Sequence, residues 1–356
     1  MFKSDHITTI QIEKDKAASN YPESFAKVHN GALKFNRNKF NTSYQENKAI
    51  LKQILDQGLQ LSCTAGYIQG GCSKGTNYLK AVFCGKEWCE NCGQDGSPVH
   101  LRRLGRWIPK ADQFKNLGYL VITIPEQARS FFKDKKSLTD FRTYIKRKLQ
   151  RDGYDKGLIR YHYFGDCKSC KSEGCKYCRN TGINNKYHPH LNIIVDSGYI
   201  KKSQFEKYSE SFKIDLVKYF EKKTKIKGLN GNIHYSYVSG NNSAKKMHLL
   251  KYVTRSTHRN YVKEIAEALK GFRTTSSWGK FEHKVEVKTE NSDLVNLTNG
   301  KCLCCGEKIK WETGYYITDQ ATGEMIYKRI LIKPDKIPDK IKHITAGYYI
   351  INPINN

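Results

Sequence analysis

Apolar residues fall into short β-branched runs through the middle of the chain, with helix-spaced stripes between them. Gly118-Tyr119-Leu120-Val121-Ile122-Thr123-Ile124 predicts a buried strand, stopped by Pro125. A basic amphipathic helix is predicted from about Leu138 to Arg151, and a second strand from Leu158 to Phe164. After Tyr187, the apolar positions Leu191, Ile193 and Val195 alternate and predict a third strand. Pro189 lacks a ladder donor, which places it near that strand's start or at a sheet edge. From Lys202 to Lys222, Phe205, Tyr208, Phe212, Leu216 and Tyr219 recur at i+3 and i+4, a helical stripe. Ile233 to Val238 predicts a further strand, and Ser243 caps a long helix reaching about Leu269. Nearer the start, Ala49, Ile50, Leu51 and Ile54 predict one helix from Ser43 to Gln57. The order of these elements is that of an α+β fold, a mainly antiparallel central sheet flanked by helices.

Charge narrows the choice of partner. The 356 residues carry 62 Lys+Arg against 34 Asp+Glu, a formal net charge of +28. An excess this large calls for a polyanion, most simply nucleic acid. No run of about 18 apolar residues exists, so no spanning helix and no membrane partner is expected. Met1 to Ile10 is polar, without the apolar core of a signal peptide, and a cytoplasmic protein is expected. Composition and pattern divide the chain into a basic helical region (1–60), a Cys-rich zinc module (61–110), a central strand-and-helix domain (111–290) and a basic Cys-containing region (291–356).

Twelve cysteines in a chain of this kind read as zinc ligands rather than disulfides. Cys167, Cys170, Cys175 and Cys178 have the spacing of a compact tetrahedral knuckle, inserted over 167–178. Cys63, Cys72, Cys84, Cys89 and Cys92 form a second group near His100, with five thiols for four places; Cys72, Cys84, Cys89 and Cys92 are the favoured set. Cys302 and Cys305 make a lone CxxC half-site, paired with distant cysteines or structural. Arg102, Arg103 and Arg106 follow the second group and suit phosphate contact; a solvated charged turn is the plainer alternative. Arg273, Trp278 and Lys280 place an aromatic among cations, suited to stacking on unpaired bases or to simple packing.

His188 and His190 stand two apart on a predicted strand, so both can grip one ion. A third ligand comes from His162, favoured, or from Asp166, both at the end of the preceding strand. A carboxylate there favours hard octahedral ions, and a third imidazole shifts preference toward manganese. Tyr252 lies on the helix Met247 to Arg255, between Lys251 and Arg255. A tyrosine beside a metal can attack a phosphodiester, although among 23 tyrosines spacing alone would leave it a packed residue.

The order of these motifs resembles the HUH endonuclease superfamily, above all the single-tyrosine rolling-circle replication initiators of plasmids and phages. The related rolling-circle transposases are similar. Leu120 to Pro125 looks like the family's first motif, and His188-Pro189-His190 its His-apolar-His motif with proline in the middle. Lys251-Tyr252-Val253-Thr254-Arg255 resembles the tyrosine motif, with Arg255 in place of the usual lysine. His162-Tyr163-Phe164-Gly165 is similar to the third-ligand motif of the transposases. The resemblance spans about residues 84 to 285; position 248, where two-tyrosine members carry their second tyrosine, is His248. It implies a ferredoxin- or RRM-like nuclease fold, with Mg²⁺ or Mn²⁺ held by His162, His188 and His190. Tyr252 would nick a single-stranded or hairpin DNA origin, leaving a 5′-phosphotyrosine and a free 3′-hydroxyl. Lys251 and Arg255 would contact phosphate. A host helicase and polymerase in a prokaryotic cytoplasm would follow. A transposase or relaxase with the same chemistry, or a non-catalytic zinc-finger nucleic-acid-binding protein, are the competing expectations.

Overall fold

The structure is a computed structural model that describes residues 64–89, 92–93, 95–167, 169, 183–256, 263–282, 292–318, 325–329, 331–332 and 341–351. The expected helix Ser43–Gln57, the region 1–60, Cys63, and Cys170, Cys175 and Cys178 of the knuckle lie outside these residues. In chain order the elements are β1 (Thr64–Gly71), β2 (Asn77–Phe83), α1 (Pro98–Ala111), β3 (Leu117–Thr123), α2 (Lys135–Arg151), β4 (Gly157–Asp166), β5 (Ile183–Asp196) and α3 (Lys202–Thr224). There follow β6 (Asn232–Val238), α4 (Ser243–Thr254), α5 (Lys263–Ala268), β7 (Thr275–Trp278), α6 (Ser292–Thr298), β8 (Lys310–Trp311), β9 (Gly314–Thr318), β10 (Met325–Arg329), β11 (Ile341–Thr345) and β12 (Tyr348–Ile351). A 3₁₀ turn, Glu126–Phe132, links β3 to α2. The chain is α+β, with two five-stranded sheets whose pairings are antiparallel.

Two compact units result, one from residues 1–85, 94–105 and 288–356, the other from 86–93 and 106–287. In the first, the strand order is β11-β12-β2-β1-β8. The Cys-rich segment and the C-terminal region, read from sequence as separate regions, therefore share one sheet: Tyr348 to Ile351 of β12 pair with Lys80 to Asn77 of β2. One side of this sheet buries Tyr67, Leu79, Ala81, Tyr349 and Ile351. Another cluster buries Tyr78, Leu101, Leu294, Leu297, Cys302 and Tyr348.

The second unit is the sheet anticipated from the strand pattern, in the order β6-β3-β5-β4-β7. Leu120 and Ile122 of β3, Leu191, Ile193 and Val195 of β5, and Ile159 of β4 form one apolar face. Leu138, Phe141, Ile145 and Leu149 of α2 and Phe212, Leu216 and Phe220 of α3 cover it, each helix repeating at i+3 or i+4. The stripe on α3 also takes in Phe220, with the expected Tyr208 and Tyr219 half-buried against the same core. Asp134 caps α2 by accepting the Ser137 N–H.

Two expectations change. The long helix from Ser243 is two helices, because Arg255 turns extended directly after Thr254, and Asn242 rather than Ser243 is the cap. Pro189 lies within a central strand, not at an edge. It is tolerated because β5 bulges there: His190 pairs with His162 and Tyr187 with Phe164, so His188 and Pro189 stand opposite the single residue Tyr163. No ladder donor is needed at that position.

Candidate active site and thiol clusters

On β5 the apolar core positions alternate with His190 and Asn192, so these two point away from the helical layer. Register carries that face across the sheet. His190 pairs with His162 on β4, Asn192 with Arg160, and Thr123 of β3 with His190. The His162 and His190 rings are 5.4 Å apart between centroids, as are those of His188 and His190. Helix α4 brings Tyr252 to the same face, its ring 5.9 Å from that of His162 and 6.5 Å from that of Tyr119, the latter edge-on.

Hydrogen bonds fix the tautomers. His162 Nε2 lies 2.9 Å from the Val253 carbonyl and must donate to it. Its Nδ1, buried and without a hydrogen-bond partner, then carries the lone pair. His190 Nδ1 donates to the His188 carbonyl at 2.8 Å and leaves Nε2 as its lone-pair nitrogen. A backbone acceptor behind an imidazole is the usual way of orienting a metal-ligating histidine. Burial, reinforced by neighbouring His190, Arg160 and Arg255, holds His162 well below the usual histidine range; burial lowers His190 as well. Both rings are therefore neutral, the form that ligates. Among the described residues, the three histidines do not bring three ligand atoms within 4.8 Å of one another.

Tyr252 is surrounded by polar groups. Its hydroxyl donates to Asp166 at 3.3 Å, and the Arg255 guanidinium lies 4.2 Å from its ring centre. Burial raises the Tyr252 phenol, and Arg255 pulls it back down. Asp166, the alternative metal ligand, is ion-paired with Arg255. Arg255 itself sits just past the helix end rather than on its last turn. Lys251 is exposed, as is His248.

Residues that sequence reasoning passed over hold this face in place. Arg160 is fully buried and donates to both oxygens of Glu87 at 2.9 and 2.8 Å, to Thr274, and to the Arg255 carbonyl at 3.1 Å. Glu87 also accepts from Ser256. One carboxylate thus anchors both the β4 arginine and the two residues that leave α4. The signal available was a lone charge two residues before His162 in an otherwise apolar strand. Tyr119, whose hydroxyl donates to the buried Asn192, was concealed in the same way.

The expected DNA-contacting residues divide. Arg102 donates to the carbonyls of Ala81, Ala346 and Gly347 and lies over the rings of Phe83 and Tyr348, so it is structural. Arg103 is buried. Trp278 is buried in the core and donates to the Tyr154 carbonyl, which removes it as a stacking platform. Arg106, Arg273 and Lys280 are exposed. Lys110 donates to Ser277 of β7 at 2.9 Å; burial lowers its amine, helped by Arg273 and Arg106. Three cations therefore converge at the edge strand of the second sheet.

The cysteines regroup. Cys72, Cys302 and Cys305 have sulfurs within 4.8 Å of one another, and so do Cys84, Cys89 and Cys92. Cys72 was expected in the second set and stands in the first, because the β1–β2 turn carries it to the CxxC of the C-terminal region. Both groups can hold a structural metal such as zinc. Of the expected knuckle, Cys167 is described and is buried. Among the described residues no helix is long and apolar enough to cross a membrane. The chain matches no family model, no curated protein and no solved structure.

Proposed function

We propose that the second unit is a metal-dependent tyrosine endonuclease of the HUH type, which nicks single-stranded DNA to start rolling-circle replication. One observation carries the reading: His162 and His190 are register partners on one sheet face, with lone-pair nitrogens fixed by backbone acceptors, and Tyr252 lies against His162. The orphaned, buried Nδ1 of His162 fits a metal ligand. His190 and His188, with ring centres spaced 5.4 Å apart from His162 to His190 and again from His190 to His188, would have to draw closer to share the ion. When bound there, Mg²⁺ or Mn²⁺ would draw charge from the non-bridging phosphate oxygens.

The chain's own groups supply the rest. Asp166 accepts the hydrogen bond of the Tyr252 hydroxyl and takes its proton as the phenol oxygen attacks. A bond forms from phosphorus to that oxygen, the bond to the 3′-oxygen breaks, and the 3′-oxygen leaves protonated by solvent. Arg255 stabilises the phenolate and orients Asp166. The exposed cations Arg106, Arg273 and Lys280 suit the DNA backbone. The freed 3′-hydroxyl is a primer for a host polymerase. A transposase or relaxase would share every one of these steps and differ in the DNA ends it joins.

The test is a denaturing gel of the protein with labelled single-stranded phage or plasmid circles and Mn²⁺. A metal-dependent covalent protein–DNA band that is lost in Tyr252→Phe, with binding retained, is the expected result. Tight binding with no covalent band on any substrate would favour a non-catalytic zinc-containing DNA-binding protein. A band that persists in the variant would move the nucleophile elsewhere, Tyr261, outside the described residues, being next in line.

A further inference from the structure

Within the first unit, two segments more than 200 residues apart meet through sulfur. Cys72 opens the β1–β2 turn, where its N–H donates to the Thr76 carbonyl at 3.1 Å and its carbonyl accepts from Gly75 at 3.1 Å. Cys302 and Cys305 lie in a tight loop closed by Lys301 and Lys308. The Cys302 N–H donates to Glu307, and the Gly306 N–H returns to the Cys302 carbonyl at 2.9 Å. Gly306 adopts φ 72°, the left-handed turn that lets a Cys-x-x-Cys loop fold back on itself.

We propose that Cys72, Cys302 and Cys305 together hold one zinc ion, a composite site that ties the first hairpin to the C-terminal loop. The sulfurs of Cys72 and Cys305 are 3.6 Å apart. That is far beyond a disulfide of about 2.05 Å. It matches the roughly 3.8 Å between two ligands of a tetrahedral ion with Zn–S bonds of about 2.3 Å. Sulfurs left unligated would have no reason to crowd in this way, since thiolates repel and thiols bond weakly.

The surroundings are those of a thiolate. The Tyr78 hydroxyl stands 3.2 Å from Cys302 Sγ and is positioned to donate to it. Binding Zn²⁺ would release the thiol protons and leave a thiolate set with one corner for a solvent oxygen. The adjacent Cys304 is exposed and outside the cluster, an internal control one residue from a ligand.

The site stands independently of the nuclease reading, because all three ligands belong to the first unit. Zinc per chain, measured on the purified full-length protein, should fall by one equivalent in Cys72→Ser and in Cys302→Ser. It should not change in Cys304→Ser. Loss in Cys302→Ser but not in Cys72→Ser would overturn the composite site and return Cys72 to the Cys84 group. Since either variant can misfold, alkylation of the wild-type protein supplies the second measurement. Cys304 should label at once, and Cys72, Cys302 and Cys305 together only after chelation. Labelling of these three at the Cys304 rate before chelation, or a Cys72–Cys305 disulfide opened by reductant alone, would sink the proposal.

Discussion

At the scale of single residues, the candidate site is a set of backbone-oriented histidines and a tyrosine held between an arginine and an aspartate. The residue with the largest structural consequence is Arg160, whose side chain is fully buried against Glu87. Replacing it with leucine would leave the Glu87 carboxylate buried without its cation, a change that typically costs about 3–5 kcal/mol. Urea unfolding of Arg160→Leu should show a loss of that order, and Arg160→Lys a smaller one because the two-pronged geometry goes while the charge stays. An unchanged midpoint would mean that the pair is incidental. His188, His190 and Tyr252 were legible in the sequence because each belongs to a short motif with chemical sense. Arg160, Glu87 and Asn192 were not, because their importance lies in being buried together, and nothing local to Glu87 announces that it folds against a strand 73 positions later. The same limit misassigned Arg102: a run of arginines after a cysteine loop suits phosphate, and only the fold reveals three carbonyls around one of them.

Among elements, β7 and β11 carry the sharpest consequences. Strand β7 closes the second sheet by pairing Trp278 with Gly157, and the indole lies so close that a β-carbon at 157 would stand 2.1 Å from it. Gly157→Ala must therefore displace Trp278, whereas Trp278→Ala should cost about 3–5 kcal/mol as a large-to-small core change. A calorimetric comparison of both with wild type checks this; if Trp278→Ala instead weakened DNA binding at unchanged stability, the core assignment would be wrong. In the first unit, burial, with help from Arg102, pulls His343 of β11 down to about 4. A histidine whose folded value lies below its unfolded value of about 6.5 binds its proton more readily when unfolded. Stability should thus hold above about pH 7 and decline as pH falls from 6.5 toward 4, by at most about 1.4 kcal/mol per pH unit. The slope should flatten in His343→Gln, as read from urea midpoints across that range. Strand and helix positions in the second unit followed well from periodicity. The break after Thr254 did not, because what ends α4 is the tertiary capture of the Arg255 carbonyl by Arg160, not a helix-breaking residue.

For the molecule as a whole, the formal charge of +28 sets the expected behaviour toward polyanions. Affinity for single-stranded DNA should fall steeply between low and physiological salt, with a log–log slope near −0.7 per phosphate neutralised. Arg106→Ala and Arg273→Ala should each weaken binding across all sequences and make that slope shallower, by roughly 0.7 for each phosphate no longer neutralised. A salt response that stays flat would argue against a DNA partner altogether. The division into two units was only half legible. The strand pattern from Leu117 to Val238 outlined one sheet, but the pairing of β2 with β12 joins residues about 270 positions apart, and no local pattern encodes a partner at that range.

That arrangement has a consequence for synthesis on the ribosome. The sheet of the second unit is complete once β7 has emerged, whereas Cys72 must wait for Cys305, 233 residues behind it. At roughly 5–20 residues per second the interval is about 10–50 s. During it the nascent chain carries an already folded insert between the two unjoined parts of its first sheet. Free zinc and the cysteines already synthesised then compete for Cys72 before its own partners exist, so the order of translation, as much as the final geometry, decides which cysteines it meets.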